Sequence, residues 1–312
     1  KQEVNIANYP FATIDPNIGV VVVPDERLKK LAELNASKKI VPAVIEFYDI
    51  AGLVKGANKG EGLGNQFLSH IKEVNAVVEV IRCFPSSEII HVEEKIDPVR
   101  DLEIINTELI LKDLETIEKR VVKLEGEAKS DKKKIKELEC AKKLQEVLAK
   151  NNLAREAGQE MLEEPIIKEM NLLTAKPQIY FLNGAVEDVP EALKEKIASL
   201  RAEYIVMNLG EAENLDTLIK KAYEVLGLIS FLTTGEDETR AWTIRRGNKA
   251  PQAAGEIHSD FEKKFIRAEV IEWNKLIEIG SWSAAKQKGW LRLEGKDYIV
   301  QDGDVMEIRH HA

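Results

Sequence analysis

Six of the eight residues from Val41 to Tyr48 are apolar or aromatic, and the next residue, Asp49, is followed by Gly52, Gly56, Gly60, Gly62 and Gly64. Such a run predicts a short buried strand. The glycine-rich segment behind it, "DIAGLVKGANKGEGLGNQF", keeps side chains back so that backbone can approach a ligand closely, and an acid at the strand end is placed to hold a cation. A strand that ends in this way could deliver Asp49 to a ligand.

With 312 residues and 44% hydrophobic content the chain can bury a sizeable core, more comfortably as two or three domains than as one. Its 54 Asp and Glu against 45 Lys and Arg give a formal charge of −9, so no chain-wide basic field for a phosphate backbone exists. Any nucleic-acid contact must come from a local patch, and sequence-specific DNA is not an expected partner. The only cysteines, Cys83 and Cys140, form no CxxC pair, which argues against disulfide scaffolds and zinc ribbons and for a reducing, cytoplasmic setting. No apolar run reaches membrane-spanning length, so no membrane partner is expected. The sequence begins with Lys1 and carries no signal-peptide pattern, and residues are expected to precede it.

Along the chain, "IGVVVVP" (Ile18 to Pro24) reads as a strand and "DERLKKLAELNASKK" as a helix with Leu28, Leu31 and Leu34 at helical spacing. Strand and helix then alternate through "AVIEFYD", a helix near Leu63 to Val74, and "AVVEVIRCF". The alternation resumes at "KPQIYFLN" (Lys176 to Asn183), a helix near Pro190 to Glu203, the strand "YIVMN" and a helix across Leu215 to Leu226. This predicts an α/β sheet of parallel strands, interrupted by an insertion. In the insertion, Leu102, Ile105, Leu109, Leu114, Ile117, Val121 and Leu124 recur mostly three or four apart, and Ile135, Leu138, Ala141, Leu144 and Leu148 repeat the spacing. Two antiparallel helices joined near Ser130 would bury these stripes on each other as a coiled-coil arm. The lysines from Lys132 to Lys136 read first as a solvated helix face and only second as a binding patch. From Leu228 onward, "RAWTIRR", "KKFIRAEVI" and "DYIVQDGDVMEIR" read as short strands with an Asp302–Gly303 turn, which suits a small α+β domain.

"DIAG", Asp49 to Gly52, at a strand end matches the Asp-x-x-Gly pattern of P-loop nucleotidases, in which the aspartate lies near Mg²⁺ and the glycine N–H approaches the γ-phosphate. Four residues alone are a weak signal. One strand earlier, "NYPFATIDPNIG" has the place of a switch loop, and its Thr13 could give a hydroxyl to Mg²⁺.

Together, "NYPFATIDPNIGVV", "DIAGLVKGANKGEGLGNQFL", "IRCF" and "INTELIL" resemble the Obg-like ATPase (YchF) family, and "RAWTIRRGNKAPQAAGEIHSDFEKKFIRAEV" resembles that family's C-terminal TGS domain. The resemblance spans nearly the whole chain in the same order. It implies a GTPase-like P-loop nucleotide-binding domain (1–96 and 174–227), an inserted antiparallel coiled-coil arm (97–173) and a ubiquitin-like α+β TGS domain (228–312). It also implies ATP as substrate in preference to GTP, Mg²⁺ as cofactor, and the ribosome or a ribosomal subunit as partner. By the same resemblance Thr13 and Asp49 are metal ligands, Gly52 serves catalysis and phosphate binding, and Asn183 binds the base.

Three features depart from the family pattern. No Gly-x4-Gly-Lys-Ser/Thr occurs, although the family carries this P-loop on the strand before the switch loop, and no other feature replaces its N–H cradle and lysine. The family's base motif is Asn-x-x-Glu, whereas Asn183 is followed by "GAVED", which puts Glu187 one place late. The segment between "YIVMN" and "LGEAENLD" is short for the family. Missing residues would account for the last two departures, and a truncated N-terminus for the first.

Leu53 stands where Ras-type enzymes carry the glutamine that orients the attacking water, so another group must do this or turnover must be slow. His91, in "CFPSSEIIHVEEK", follows a strand whose end faces the crevice, and the resemblance places a histidine in this context as well. A solvated loop histidine is the competing reading. His70, His258, Cys83, Trp242 and Trp273 read as packing or surface residues, and Asp97 and Asp101 as helix-start acids. The function expected is that of a ribosome-linked P-loop ATPase. The rival is a degenerate nucleotide domain that serves only as a binding module for ribosome or RNA.

Overall fold

The computed structural model describes residues 17–50, 68, 70–85 and 96–311. The chain packs as two compact units, one that takes residues up to Gly19 and Tyr48–Asn214 and one from Val20–Phe47 with Leu215–Ala312. Asn17–Val22 (β1) and Val44–Asp49 (β3) pair with each other, and between them lie the helix Glu26–Leu34 (α1) and the short strand Lys39–Val41 (β2). Asp25 caps α1 by accepting the Arg27 N–H at 3.0 Å.

In the first unit, Val77–Arg82 (β4), Gln178–Asn183 (β5) and Glu203–Met207 (β6) form a parallel sheet in the order β4-β5-β6. β5 is central and almost wholly buried, as its unbroken apolar run requires. The insertion opens with a 30-residue helix, Pro98–Glu127 (α2). Asp97 accepts the Arg100 N–H at its start, and Pro98 occupies a first-turn position where no N–H is needed. A turn through Ser130 leads into Lys133–Ala149 (α3), which packs back along α2. Ile117, Val121, Leu124, Ala141, Leu144 and Leu148 are buried between them, the stripes read from the sequence. Ile135, at the tip, is exposed.

Asp113, buried on α2, joins the arm to the start of β5. Its carboxylate accepts the N–H groups of Leu173 and Thr174, both at 2.8 Å, and the Thr174 hydroxyl at 2.6 Å. Two short helices, Gln159–Glu163 (α4) and Pro165–Met170 (α5), complete the return, and Glu191–Ser199 (α6) covers the sheet through Leu193 and Ile197.

The second unit contains Asp216–Val225 (α7) and a six-stranded sheet. Its strands are Leu228–Thr234 (β7), Glu238–Arg245 (β8), Phe265–Glu272 (β9), Arg292–Glu294 (β10) and Asp304–His310 (β11), together with β2, in the order β10-β9-β11-β7-β8-β2. The central pair β7 and β11 is parallel and is flanked by antiparallel neighbours, the ubiquitin-like arrangement expected for this region. Ala250–Ile257 (α8) and Ser259–Lys263 (α9) lie over one face, where Ala250, Ala253 and Ala254 meet Phe231, Ile244 and Val270. Trp273–Ile279 (α10) and Trp282–Gln287 (α11) join α1 and α7 over the other.

The alternation predicts one sheet on either side of the insertion, and the structure differs. β4, β5 and β6 form it, whereas among the described residues β1 and β3 pair only with each other and β2 adds to β8. The reason is that Leu28 and Leu31 of α1 are buried against Leu232, Ala241 and Leu276, so residues 20–47 and 215–227 pack with the C-terminal region although the sequence reading groups them with the nucleotide domain.

Candidate nucleotide site

Parallel strands present their carboxyl ends to one side, and there β4, β5 and β6 finish at Arg82, Asn183 and Met207. The Cys83 N–H donates to the Asn183 carbonyl at 2.8 Å and the Gly184 N–H to the Met207 carbonyl at 3.2 Å, so the ladder continues to the rim. The Asn183 side chain is fixed from one side only, its Oδ1 accepting the Leu209 N–H at 3.0 Å. Among the described residues its amide nitrogen has no acceptor, which leaves two donors for a ligand.

The backbone then turns sharply. Asp188 Oδ2 accepts the Ala185 N–H at 3.0 Å across the turn Val186–Asp188, while Glu187 is exposed. A Cβ at Gly184 would lie 3.2 Å from the Cys83 Cβ and 3.4 Å from Asp188, closer than neighbouring side chains usually pack. Any side chain at Gly184 would therefore displace the end of β4 or the turn. Burial, with the negative charge of Asp188, pushes the Cys83 thiol up to about 11. That thiol is a packing group rather than a nucleophile.

Asp49 ends β3 and is exposed, and its carboxylate has no partner among the described residues. It belongs to the β1–β3 ribbon, so Asp49 and Asn183 end strands of different sheets. Thr13, Gly52 and His91 lie outside the described residues. No cluster of three His, Cys, Asp or Glu that could hold a metal occurs among the described residues. One exposed carboxylate nevertheless fits Mg²⁺, which takes one or two carboxylates and completes its shell with phosphate oxygens and water. Sequence reading missed the Leu209 and Asp188 anchors, because each depends on a turn that brings a backbone N–H to the side chain.

The remaining residues singled out in the sequence take structural places. His258 caps α9 through Nδ1, which accepts the Asp260 N–H at 3.2 Å. Trp242 and Trp273 pack against the two cores of the C-terminal unit. Arg245, Arg246, Lys249, Lys263, Lys264 and Arg267 are exposed, and the Arg240 guanidinium lies 4.0 Å from the centre of the Trp242 ring. No helix among the described residues is long and apolar enough to cross a membrane.

A parallel sheet with an asparagine at its rim and a strand that ends in Asp-x-x-Gly in the sequence fit the class of GTPase-like nucleotidases, and comparisons with known proteins agree. A family model described as a 50S ribosome-binding GTPase matches residues 1–122, and the YchF GTPase C-terminal family model, described as a protein of unknown function, matches residues 228–311. The ribosome-binding ATPase YchF of Bacillus subtilis (strain 168) is 46% identical over 337 residues, covering 98% of this chain and 92% of the relative. Its counterpart from Haemophilus influenzae is 44% identical over 340 residues, covering 100% and 94%. The solved structure of the Schizosaccharomyces pombe YchF GTPase superposes with a TM-score of 0.83 at 38% identity, over 98% of this chain and 90% of that one. The chain belongs to the YchF family.

Proposed function

We propose that the protein is a cytoplasmic, ribosome-associated ATPase that binds ATP at the carboxyl ends of β4, β5 and β6. The observation that carries this reading is Asn183, held by the Leu209 N–H at the sheet rim with its amide donors turned over to a ligand. Those donors suit purine N7. Mg²⁺ would be held by Asp49 and Thr13, and when bound it neutralises charge that develops on the transferred phosphoryl group. In this reading the Gly52 N–H would serve the γ-phosphate, and His91 would orient the attacking water in place of the glutamine whose position Leu53 takes in the sequence. The division of the sequence into a nucleotide domain (1–96 and 174–227), an arm (97–173) and a TGS domain (228–312) belongs to the same proposal, although in packing Val20–Phe47 and residues 215–227 go with the C-terminal unit.

The curated relatives' name, ribosome-binding ATPase, supports a ribosomal partner for this chain. The exposed basic residues of the C-terminal domain, on a chain of net charge −9, offer the contact surface, together with the arm. Lys249 is the most committed of them, paired with Asp297 at 2.7 Å. Reversing charge at Arg246 and Lys249 is expected to lower ribosome co-sedimentation by about tenfold and to flatten its salt dependence, since each lost phosphate contact removes roughly one unit of salt slope. Unchanged sedimentation at every salt concentration would remove this surface from the interface.

His91→Ala in the full-length protein is expected to lower ribosome-stimulated kcat by about tenfold or more while ATP affinity stays nearly constant, because the histidine acts only on the attacking water. Equal turnover with and without ribosomes in the variant and the parent would make His91 a bystander.

A further inference from the structure

From Val20 to Phe47 the chain runs through the core of the C-terminal unit. Val21, Val23, Ala43, Ile45 and Phe47 of the β1–β3 ribbon and its ends pack into the cluster that holds Leu31, Leu232, Ala241 and Ile271. The opposite face of the ribbon, including Val20, Val22 and Val44, is exposed. Three further ties hold the segment. β2 extends the C-terminal sheet, with Lys39 opposite Glu238, Ile40 opposite Thr239 and Val41 opposite Arg240. The Lys38 N–H donates to the Glu236 carbonyl at 2.9 Å, and the Ser37 hydroxyl to the Gly235 carbonyl at 2.6 Å.

The third tie is ionic. The Arg27 guanidinium reaches Asp302 Oδ2 at 2.7 Å through Nη1, and Asp25 at 2.8 Å through both Nε and Nη2. Asp302 in turn accepts the Ser230 N–H at 2.9 Å, which fastens the turn to β7. The neighbouring Gly303 has φ +85°, and a Cβ there would lie 2.7 Å from the Trp273 ring and 2.9 Å from Arg27 Nη1. The glycine thus admits both the positive φ and the close approach of the guanidinium. Arg27 is the link between α1 and this turn, and only 20% of its side chain is exposed.

We propose that Arg27 is a positioning residue for the nucleotide site: by seating α1 on the Asp302–Gly303 turn it fixes the β1–β3 ribbon, and so sets where the Asp49 carboxylate stands. This rests on the reading of Asp49 as a Mg²⁺ ligand. The physical argument is short. Asp49 lies two residues beyond Phe47, the last ribbon residue packed in that core, so its carboxylate inherits the position of the ribbon. Displacements near 1 Å at a reacting group can cost about a hundredfold in rate.

The test uses full-length protein carrying Arg27→Met, which keeps the apolar stem and removes the fork, and Arg27→Lys, which restores the charge. Without nucleotide, amide hydrogen exchange across 44–49 is expected to rise about tenfold in Arg27→Met, with Arg27→Lys in between and the β7–β9 core unchanged. The Mg²⁺ concentration for half-maximal ATP turnover should rise about tenfold, with kcat at saturating Mg²⁺ nearly kept. Exchange at 44–49 equal to the parent overturns the proposal. So does faster exchange throughout the β7–β9 core, which would mark a general loss of stability, and so does an unaltered Mg²⁺ dependence beside a loosened ribbon. Failure of the underlying reading would show separately, as an Asp49→Ala protein with the parent's Mg²⁺ dependence, and would take the proposal with it.

Discussion

Asp49→Ala in the full-length protein is expected to lower ATP turnover by about a hundredfold or more and to raise the Mg²⁺ requirement, with the fold retained. The carboxylate is exposed at a strand end and bound to no other described residue, so its removal breaks no structural bond among them. A surface substitution of this kind changes stability by about 0.5 kcal/mol or less. In a nucleotidase, by contrast, the metal neutralises charge that develops on the phosphoryl oxygens, and electrostatic groups of this kind are worth roughly 10²–10³ in rate each. Steady-state turnover against Mg²⁺ concentration, with circular dichroism for the fold, measures both halves. A variant with the parent's kcat and Mg²⁺ dependence would take Asp49 out of the metal site.

How far this site could be read from the sequence depends on the range of the signal. Asp49 and Asn183 are legible because a strand end followed by glycine is a local pattern, and both residues do end strands. The coiled-coil arm is legible for the same reason, since Ile117, Val121, Leu124, Leu144 and Leu148 carry their burial in their spacing. Residues 20–47 are not. The Leu28 and Leu31 stripe states that α1 covers a core but not which one, and the partner it finds, β7 to β8 and α10, lies far along the chain. β7 itself, "LISFLTT", went unread as a strand. Its Ile, Phe and Thr content bounded by Gly227 and Gly235 was the available signal, obscured because a continuous apolar run fits a buried helix equally well. β10, with three residues, carries too little pattern to read and exists because β9 offers it an edge.

The second large effect concerns the base. The names of relatives divide on it, the curated proteins being called ATPases and the solved structure a GTPase. Asn183 does not discriminate, because adenine and guanine both offer N7 to its amide. Guanine sites add Asn-Lys-x-Asp, whose aspartate accepts the N1–H and N2–H₂ donors. Here Gly184 and Val186 occupy the Lys and Asp places. Gly184 is hemmed in by Cys83 and Asp188, the Asp188 carboxylate is turned back onto the Ala185 N–H, and Glu187 is exposed one place too late. Guanine donors buried without that acceptor lose about 1–3 kcal/mol, a factor of roughly 5 to 150 in affinity.

Calorimetric titration of the full-length protein with ATP-Mg²⁺ and GTP-Mg²⁺ under one buffer tests the account most directly, because it reads the site at the ends of β4, β5 and β6 without depending on a partner or on turnover. A Kd for ATP lower than that for GTP by about tenfold, with both Kd values raised in similar proportion by Asn183→Ala, is the predicted result. A clear preference for GTP, or no binding of either nucleotide, would contradict it.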